Sequence, residues 1–369
     1  MKFLHTGDLH IGKTVNEFSM LQEQKHILDQ IIEIAVMEQA DALVIAGDVY
    51  DRPIPSTEAV GLLDSFLTTL IEKKIPVIMI SGNHDSGERV AFADKILNRQ
   101  GLYIAGGYEG ELKRVLFEDA WGSVEFVCMP FVKPAVATVE DMLGSTPMTL
   151  DLRTRHVLVT HYFVTGENGE TPEVSDAETT VNVGGLDNVS AQNFAMFDYV
   201  ALGHIHKRQK IGSKNVWYAG APLKYSFSEV NHTKSVNLVT LLDKGEVLVE
   251  KRELTPLHEM RIIKGRLEEL IAPDVVKQEK ADDYIKAVLV NEEELIDPIG
   301  TLRSVYPNVM QIELEKHCKD GTESYQAEIF RKKKPIGELF AGFYEMLKGE
   351  PMDEQRAKLV EELEKRIEG

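Results

Sequence analysis

Ala42-Leu43-Val44-Ile45-Ala46-Gly47-Asp48-Val49-Tyr50-Asp51-Arg52 is a short apolar run that stops abruptly at a Gly-Asp pair. Five apolar residues closed by a turn-forming pair read as a buried strand whose carboxyl end carries a polar group. The pattern recurs on both sides: Phe3 to Thr6 precedes Gly7-Asp8-Leu9-His10, and Val77 to Ile80 precedes Gly82-Asn83-His84-Asp85. Between them, Leu21, Leu28, Ile31, Ile32 and Ala35 mark one helical face, and Leu62, Phe66, Leu67, Leu70 and Ile71 mark another, with Ser56 as its N-cap. A third helix is expected from Ser86 to Asn98, stopping near Gly101. Strands alternating with amphipathic helices are βαβ units, so the first hundred residues predict a largely parallel sheet.

Beyond residue 102 the strand candidates crowd together: Leu112 to Phe117, Val124 to Met129, Val157 to Thr160, Tyr199 to Leu202, Val216 to Ala219 and Val236 to Leu242. They predict a second sheet packed on the first. Residues 164–190, with six acids and no Lys or Arg, read as a long exposed loop. The fold class is α/β: two packed mixed β-sheets flanked by helices over residues 1–255, a small α+β domain over 256–330, and C-terminal helices over 331–369. In the last segment Ile336, Leu339, Phe340, Phe343 and Leu347 form one apolar helical stripe, and a second helix follows Gly349 and Pro351.

At 369 residues, 43% hydrophobic and 27% charged, the chain is neither disordered nor fibrous. Its net charge of −19 argues against the globally basic surface of many stand-alone nucleic-acid binders. The charge is uneven, however: from Asp198 to Lys234 six Lys or Arg face two acids. Within that stretch Lys207, Arg208 and Lys224, joined by Arg89, are candidate phosphate contacts. Two cysteines 190 residues apart, Cys128 and Cys318, build no disulfide framework or Cys-rich zinc site, which fits a reducing cytoplasm. The N-terminus turns polar after four residues, and no apolar run reaches membrane-span length, so a soluble intracellular protein is expected.

Five segments place Asp, Asn or His directly behind an apolar run: Asp8-Leu9-His10, Gly47-Asp48, Gly82-Asn83-His84-Asp85, Thr160-His161 and Gly203-His204-Ile205-His206. Each alone has a plain reading: a Gly-Asp pair is a turn, and a single histidine is a structural one. Together they are an oxygen and nitrogen donor set, without thiolates, that suits Mn²⁺, Fe²⁺ or Zn²⁺ better than Ca²⁺ or Mg²⁺. In extended backbone the i, i+2 spacing of Asp8 with His10 and of His204 with His206 sends both side chains to one side. Seven ligands are too many for one ion with an open position. Two ions about 3.5–4 Å apart, bridged by a carboxylate for which Asp48 is the candidate, would use them all and suit phosphoryl transfer.

With those residues in place, the chain resembles the calcineurin-like metallophosphoesterases, and within them the SbcD family of nuclease subunits of bacterial SbcCD complexes. Further resemblance lies in His5-Thr6-Gly7-Asp8-Leu9-His10-Ile11-Gly12, in Gly220-Ala221-Pro222-Leu223-Lys224-Tyr225-Ser226-Phe227-Ser228-Glu229 and in Leu339-Phe340-Ala341-Gly342-Phe343-Tyr344. The resemblance implies that Asp8, His10, Asp48 and His206 hold one metal and that Asp48, Asn83, His161 and His204 hold the other. The pair would be two Mn²⁺ ions, with Mg²⁺ or Fe²⁺ as cellular alternatives. His84 would approach the scissile phosphate, with Asp85 either holding that imidazole charged or capping the helix that follows. Asp51 stands where archaeal and eukaryotic relatives carry histidine, and is given no phosphate contact. The resemblance further implies a homodimer in the cytoplasm, associated with the nucleoid, acting on DNA ends and hairpins in repair, recombination and replication. Residues 256–330 would cap the site, and Leu339, Phe340, Phe343 and Leu347 would dock on the coiled coil of SbcC, an SMC-like ATPase. The alternative is another calcineurin-like phosphodiesterase or phosphatase acting on nucleotides or phosphoproteins.

Overall fold

The computed structural model describes residues 1–315, apart from 134, 147–152, 179–187, 277–279, 292 and 294, together with Tyr344 and Arg356. Met1–Leu314 form one compact unit, and Glu315–Gly369 a second.

The three strands read from the opening motifs, Lys2–Thr6, Ala42–Ala46 and Val77–Ile80, lie side by side and parallel, with Phe3 opposite Ala42 and Leu43 opposite Val77. Leu102–Ala105 extends them on one flank. On the other, Ser235–Leu241 pairs antiparallel with Lys2–Thr6, and Val247–Glu253 pairs with it in turn. The strand at 236–242 therefore joins the first sheet, not the second as the sequence suggested. Its alternation shows only that both faces are buried, and the free edge of Lys2–Thr6 decides which sheet it completes. The second sheet runs Gln209–Ile211, Val216–Tyr218, Tyr199–Leu202, Arg155–Thr160, Gly122–Met129, Lys113–Asp119, parallel at its centre and antiparallel at both edges.

The sheets meet over Phe3, Val44 and Ile78 from one and Phe126, Val157 and Tyr199 from the other. Leu4, Leu43, Ile45 and Met79, the alternate residues, face the helices Leu21–Met37 and Thr57–Glu72. Burying each such side chain contributes about 1.5–3 kcal/mol, which is why these strands are apolar on both faces. Ser56 caps the second helix by accepting the Ala59 amide. The third expected helix is broken into two single turns, Gly87–Val90 and Asp94–Leu97. Ala93, at φ 61°, reverses the chain between them and leaves Phe92 and Ile96 on the surface.

The segment 164–190 is not simply an exposed loop. Phe163–Thr165 and Asn188–Ser190 pair in parallel, and Ser175 and Glu178 are buried. Within the first unit, Met260–Gly265, Tyr284–Leu289 and Val309–Leu314 form a separate parallel sheet, joined by short helices that include Pro298–Arg303. It has its own core around Ile263, Ile285, Leu302 and Tyr306, while Met260, Tyr284 and Met310 continue the core beneath the first sheet. The candidate docking residues Leu339, Phe340, Phe343 and Leu347 lie outside the described residues; Tyr344 is helical and accepts a hydrogen bond from Arg356. Among the described residues no helix is long and apolar enough to cross a membrane.

Candidate metal centre

All five chemistry-bearing segments leave the carboxyl ends of strands, three in the first sheet and two in the second. Packing the sheets face to face brings those ends together. The first two loops are zipped by backbone bonds, Asp8 N to Gly47 O at 3.0 Å and His10 N to Asp48 O at 2.9 Å. The local geometry differs from the expected extended one. Asp8, His10, Asp48 and His204 have φ of 52°, 44°, 47° and 94°, so left-handed backbone, not the strand pleat, turns these side chains inward. Such conformations cost about 1–3 kcal/mol each and persist where surrounding structure enforces them. Gly47 is required for the same reason: its φ is +87°, and a Cβ there would lie 2.4 Å from His161 Nδ1.

The seven expected ligands converge. Asp8, His10 and His206 offer donor atoms within 4.8 Å of one another, as do Asp8, Asp48 and His161. Asn83 Oδ1 lies 3.0 Å from both His161 Nε2 and His204 Nδ1, and His161 Nε2 lies 3.3 Å from Asp48 Oδ2. Asp48 is thus shared between the two halves of the cluster. His10, Asp48 and His84 also group within 4.8 Å, but His84 is half-buried and its Nδ1 donates to the Asp51 carbonyl at 3.0 Å.

The donors fit metal ions. One oxygen of fully buried Asp8 accepts the His204 amide at 2.8 Å, while Oδ2 has no hydrogen-bond partner among the described residues. His161 donates Nδ1–H to the Ala46 carbonyl at 2.7 Å, and His206 donates Nδ1–H to Glu229 at 3.2 Å; burial opposes charge on both rings, but Asp48 raises His161 to about 9 and Glu229 raises His206, so an ion at either Nε2 would take the place of a proton. Burial drives His10 well below its usual range, and burial with the His161 charge takes His204 down to about 3, so both are neutral and able to ligate. Burial opposes charge on Asp48 as well, but the charge of His161 and its hydrogen bond outweigh it and hold the carboxyl low. Burial likewise raises Asp8 against the pull of His161 and His206.

Residues 1–208 match the family model of the calcineurin-like phosphoesterases, and residues 256–347 match that of the type 5 capsule protein repressor C-terminal domain. The SbcD subunit of the SbcCD nuclease of Staphylococcus epidermidis is 31% identical over 379 aligned positions, covering 98% of each chain. The protein of the same name from Staphylococcus saprophyticus is 30% identical, over 98% of this chain and 97% of its own. The chain belongs to the SbcD family of calcineurin-like phosphoesterases.

This SbcD-family chain surrounds its ligands with polar groups that sequence reasoning did not single out. Glu178, from the supposedly exposed acidic segment, accepts the His206 amide, and burial raises its carboxyl. Glu229, held down to about 2 by Lys234 and His206 against the effect of burial, accepts from both. Gln24 donates to the His10 carbonyl at 2.7 Å and accepts the Gly12 amide at 2.9 Å. Its signal was available, since it is a polar residue on the same face as Leu28 and Ile31.

Two expectations are corrected. Asp85 neither holds the His84 imidazole nor caps a helix. Its carboxylate accepts the amides of Gly82 at 2.8 Å, Tyr50 at 2.9 Å and Val49 at 3.0 Å, tying two ligand-bearing turns together. Nor do the bases after His206 form an open track. Lys224 is bound to Glu259 at 2.6 Å, Lys207 pairs with Glu173, and Lys234 is buried against Glu229. Glu173 and Glu259, distant in sequence, neutralise two of them, which a local charge count cannot see. Arg89 is exposed on the wall of an apolar groove with Leu63, Leu67 and Phe92. Arg208 is half-buried, and its guanidinium lies 4.7 Å from the Trp217 ring centre.

Proposed function

We propose that this chain is the nuclease subunit of an SbcCD-type complex, hydrolysing DNA phosphodiesters as an exonuclease at ends and an endonuclease at hairpins. The observation that carries the reading is the convergence of seven oxygen and nitrogen donors from five strand ends, with Asp8 Oδ2 buried and unpaired. Asp8, His10, Asp48 and His206 would hold one ion, and Asp48, Asn83, His161 and His204 the other; Mn²⁺ is the proposed metal, with Mg²⁺ or Fe²⁺ as alternatives. Bound there, two such ions supply a nucleophile at neutral pH and neutralise charge on the phosphoryl group.

The protein's own part is positioning and proton transfer. Ala46 and Glu229 fix the tautomers of His161 and His206. The Asp51 carbonyl fixes Nδ1–H of His84, so the imidazolium form would give its Nε2 proton to the departing sugar oxygen and be left as the neutral ring. Asp85 holds His84's turn against the Asp48 loop. The assembly would be a cytoplasmic, nucleoid-associated homodimer. Exposed Phe92 and Val60, bordering the apolar groove over Leu63 and Leu67, support pairing through that face. Residues 256–330 would select DNA structures, and the stripe Leu339, Phe340, Phe343, Leu347 would dock on SbcC.

The test is incubation of end-labelled duplex and hairpin DNA with Mn²⁺, with and without SbcC and ATP, beside a phosphodiester dye. DNA cleavage that disappears with chelator is the expected result. Dye turnover without DNA cleavage would move the assignment to the nucleotide or phosphoprotein alternative, and no turnover of either would overturn it.

A further inference from the structure

Next to the metal centre, and sharing His206 with it, an open cavity of about 360 Å³ is lined by Lys207, Arg208, Lys234 and Lys251 against one acid, Glu173. Three of these cations have carboxylate partners: Lys207 with Glu173, Lys234 with Glu229, and Lys251 with Glu253 at 2.9 Å. Arg208 does not. Its Nε donates to Asn237 Oδ1 at 2.5 Å, its plane rests over Trp217, and its two terminal nitrogens meet no acceptor among the described residues. In the same lining, Ser235 Oγ and His232 Nδ1 are buried without a hydrogen-bond partner among the described residues. A buried polar atom left unsatisfied costs about 1–3 kcal/mol, so two of them beside a fixed guanidinium fork call for a ligand that supplies oxygen.

A tetrahedral oxyanion meets the requirement: it accepts two bonds from the guanidinium fork and one each from hydroxyl and imidazole. The lining holds no Phe, Tyr or Trp on which a base could stack, so the chemistry is that of a phosphate group and not of a base. We propose that this cavity binds a phosphate of the nucleic-acid strand adjacent to the scissile one, with Arg208, His232 and Ser235 as its donors and Lys251 adding charge. Continuity with His206, a candidate metal ligand, favours a strand over free phosphate. The inference rests on the nuclease reading and names a subsite within it.

The experiment measures binding, which needs no cleavage. In the full-length chain carrying His84→Gln, fluorescence anisotropy with labelled duplex DNA gives Kd across a salt series. Adding Arg208→Gln and Lys251→Gln should weaken binding at least tenfold and flatten the slope of log Kd against log salt by about 2. Ser235→Ala, which changes no charge, should weaken binding a few-fold at unchanged slope. Lys251→Gln alone, on the edge strand of the first sheet, should flatten the slope by about 1 and so gives the reading should the double variant not fold. Unchanged affinity and slope, or no DNA binding by the parent, would overturn the proposal. A rise in Tm with inorganic phosphate at matched ionic strength, lost in the variant while DNA affinity stays intact, would reassign the cavity to free phosphate. Absence of cleavage by the wild-type chain would sink the nuclease reading and leave these binding outcomes standing.

Discussion

The Asp85 carboxylate accepts the Tyr50 backbone amide at 2.9 Å and so clamps the turn after the third strand to the turn after the second. The same carboxylate takes the Val49 and Gly82 amides, and Asp48 accepts the His84 amide at 2.9 Å in return. The geometry of Asp48, Asn83 and His84 therefore depends on a side chain that touches no ligand atom. Asp85→Ala should cost about 3 kcal/mol by stranding buried donors, read as a Tm drop of roughly 4–5 °C, with a larger proportional loss of kcat. An unchanged Tm would show that water replaces the carboxylate without penalty.

His84 and Asp48 should separate chemistry from metal binding. His84→Gln should abolish phosphodiester cleavage and retain the wild-type metal content by elemental analysis, because its Nδ1 is committed to the Asp51 carbonyl. Asp48→Ala should lose both ions, since Asp48 stands in both halves of the cluster. Retention of two equivalents by the Asp48 variant would refute its bridging position.

At the opposite end of the sheets, fully buried Arg155 binds Asp119 at 2.5 Å, and the N-terminal ammonium shares that carboxylate. Burial alone would raise Asp119, but the hydrogen bonds from Arg155 and the N-terminus outweigh it and hold the carboxyl well below its usual range. A carboxyl depressed on folding adds stability above its unfolded pKa near 4 and loses it as pH falls. Asp119→Asn should therefore cost about 3 kcal/mol at pH 7, the scale of leaving a buried charge unpaired. The gap from wild type should hold above about pH 5 and narrow below about pH 4 in denaturant titrations. A gap independent of pH would assign the effect to packing.

Replacing Phe340 and Phe343 with Glu should abolish co-purification with SbcC while sparing metal-dependent cleavage of a phosphodiester dye. Each change puts a charge on an apolar stripe that helix-in-groove docking would bury. Undiminished co-purification would refute the docking role.

Much of the architecture was legible because both strand faces are buried. Ala42–Ala46 and Val77–Ile80 read as strands from composition alone, and the Gly-Asp and Gly-Asn-His endings marked where each would deliver its polar group. The seven candidate ligands were named from that pattern. Their geometry did not follow, because the i, i+2 argument assumed extended backbone where Asp8, His10 and His204 are left-handed. That conformation is imposed by neighbouring loops, as in the bond from Asp8 N to Gly47 O, and is not encoded in the local sequence.

Sequence by itself determined the strands, the donor set and the family, because each is a local matter of residue type and order. Only the tertiary structure decided which charges are free and which polar groups are orphaned. Lys224 looked available until Glu259 arrived from 35 residues away, and Glu178 looked solvated until its loop lay against His206. Electrostatic partnership acts through space across a few ångströms, and a count along the chain carries no information about that distance.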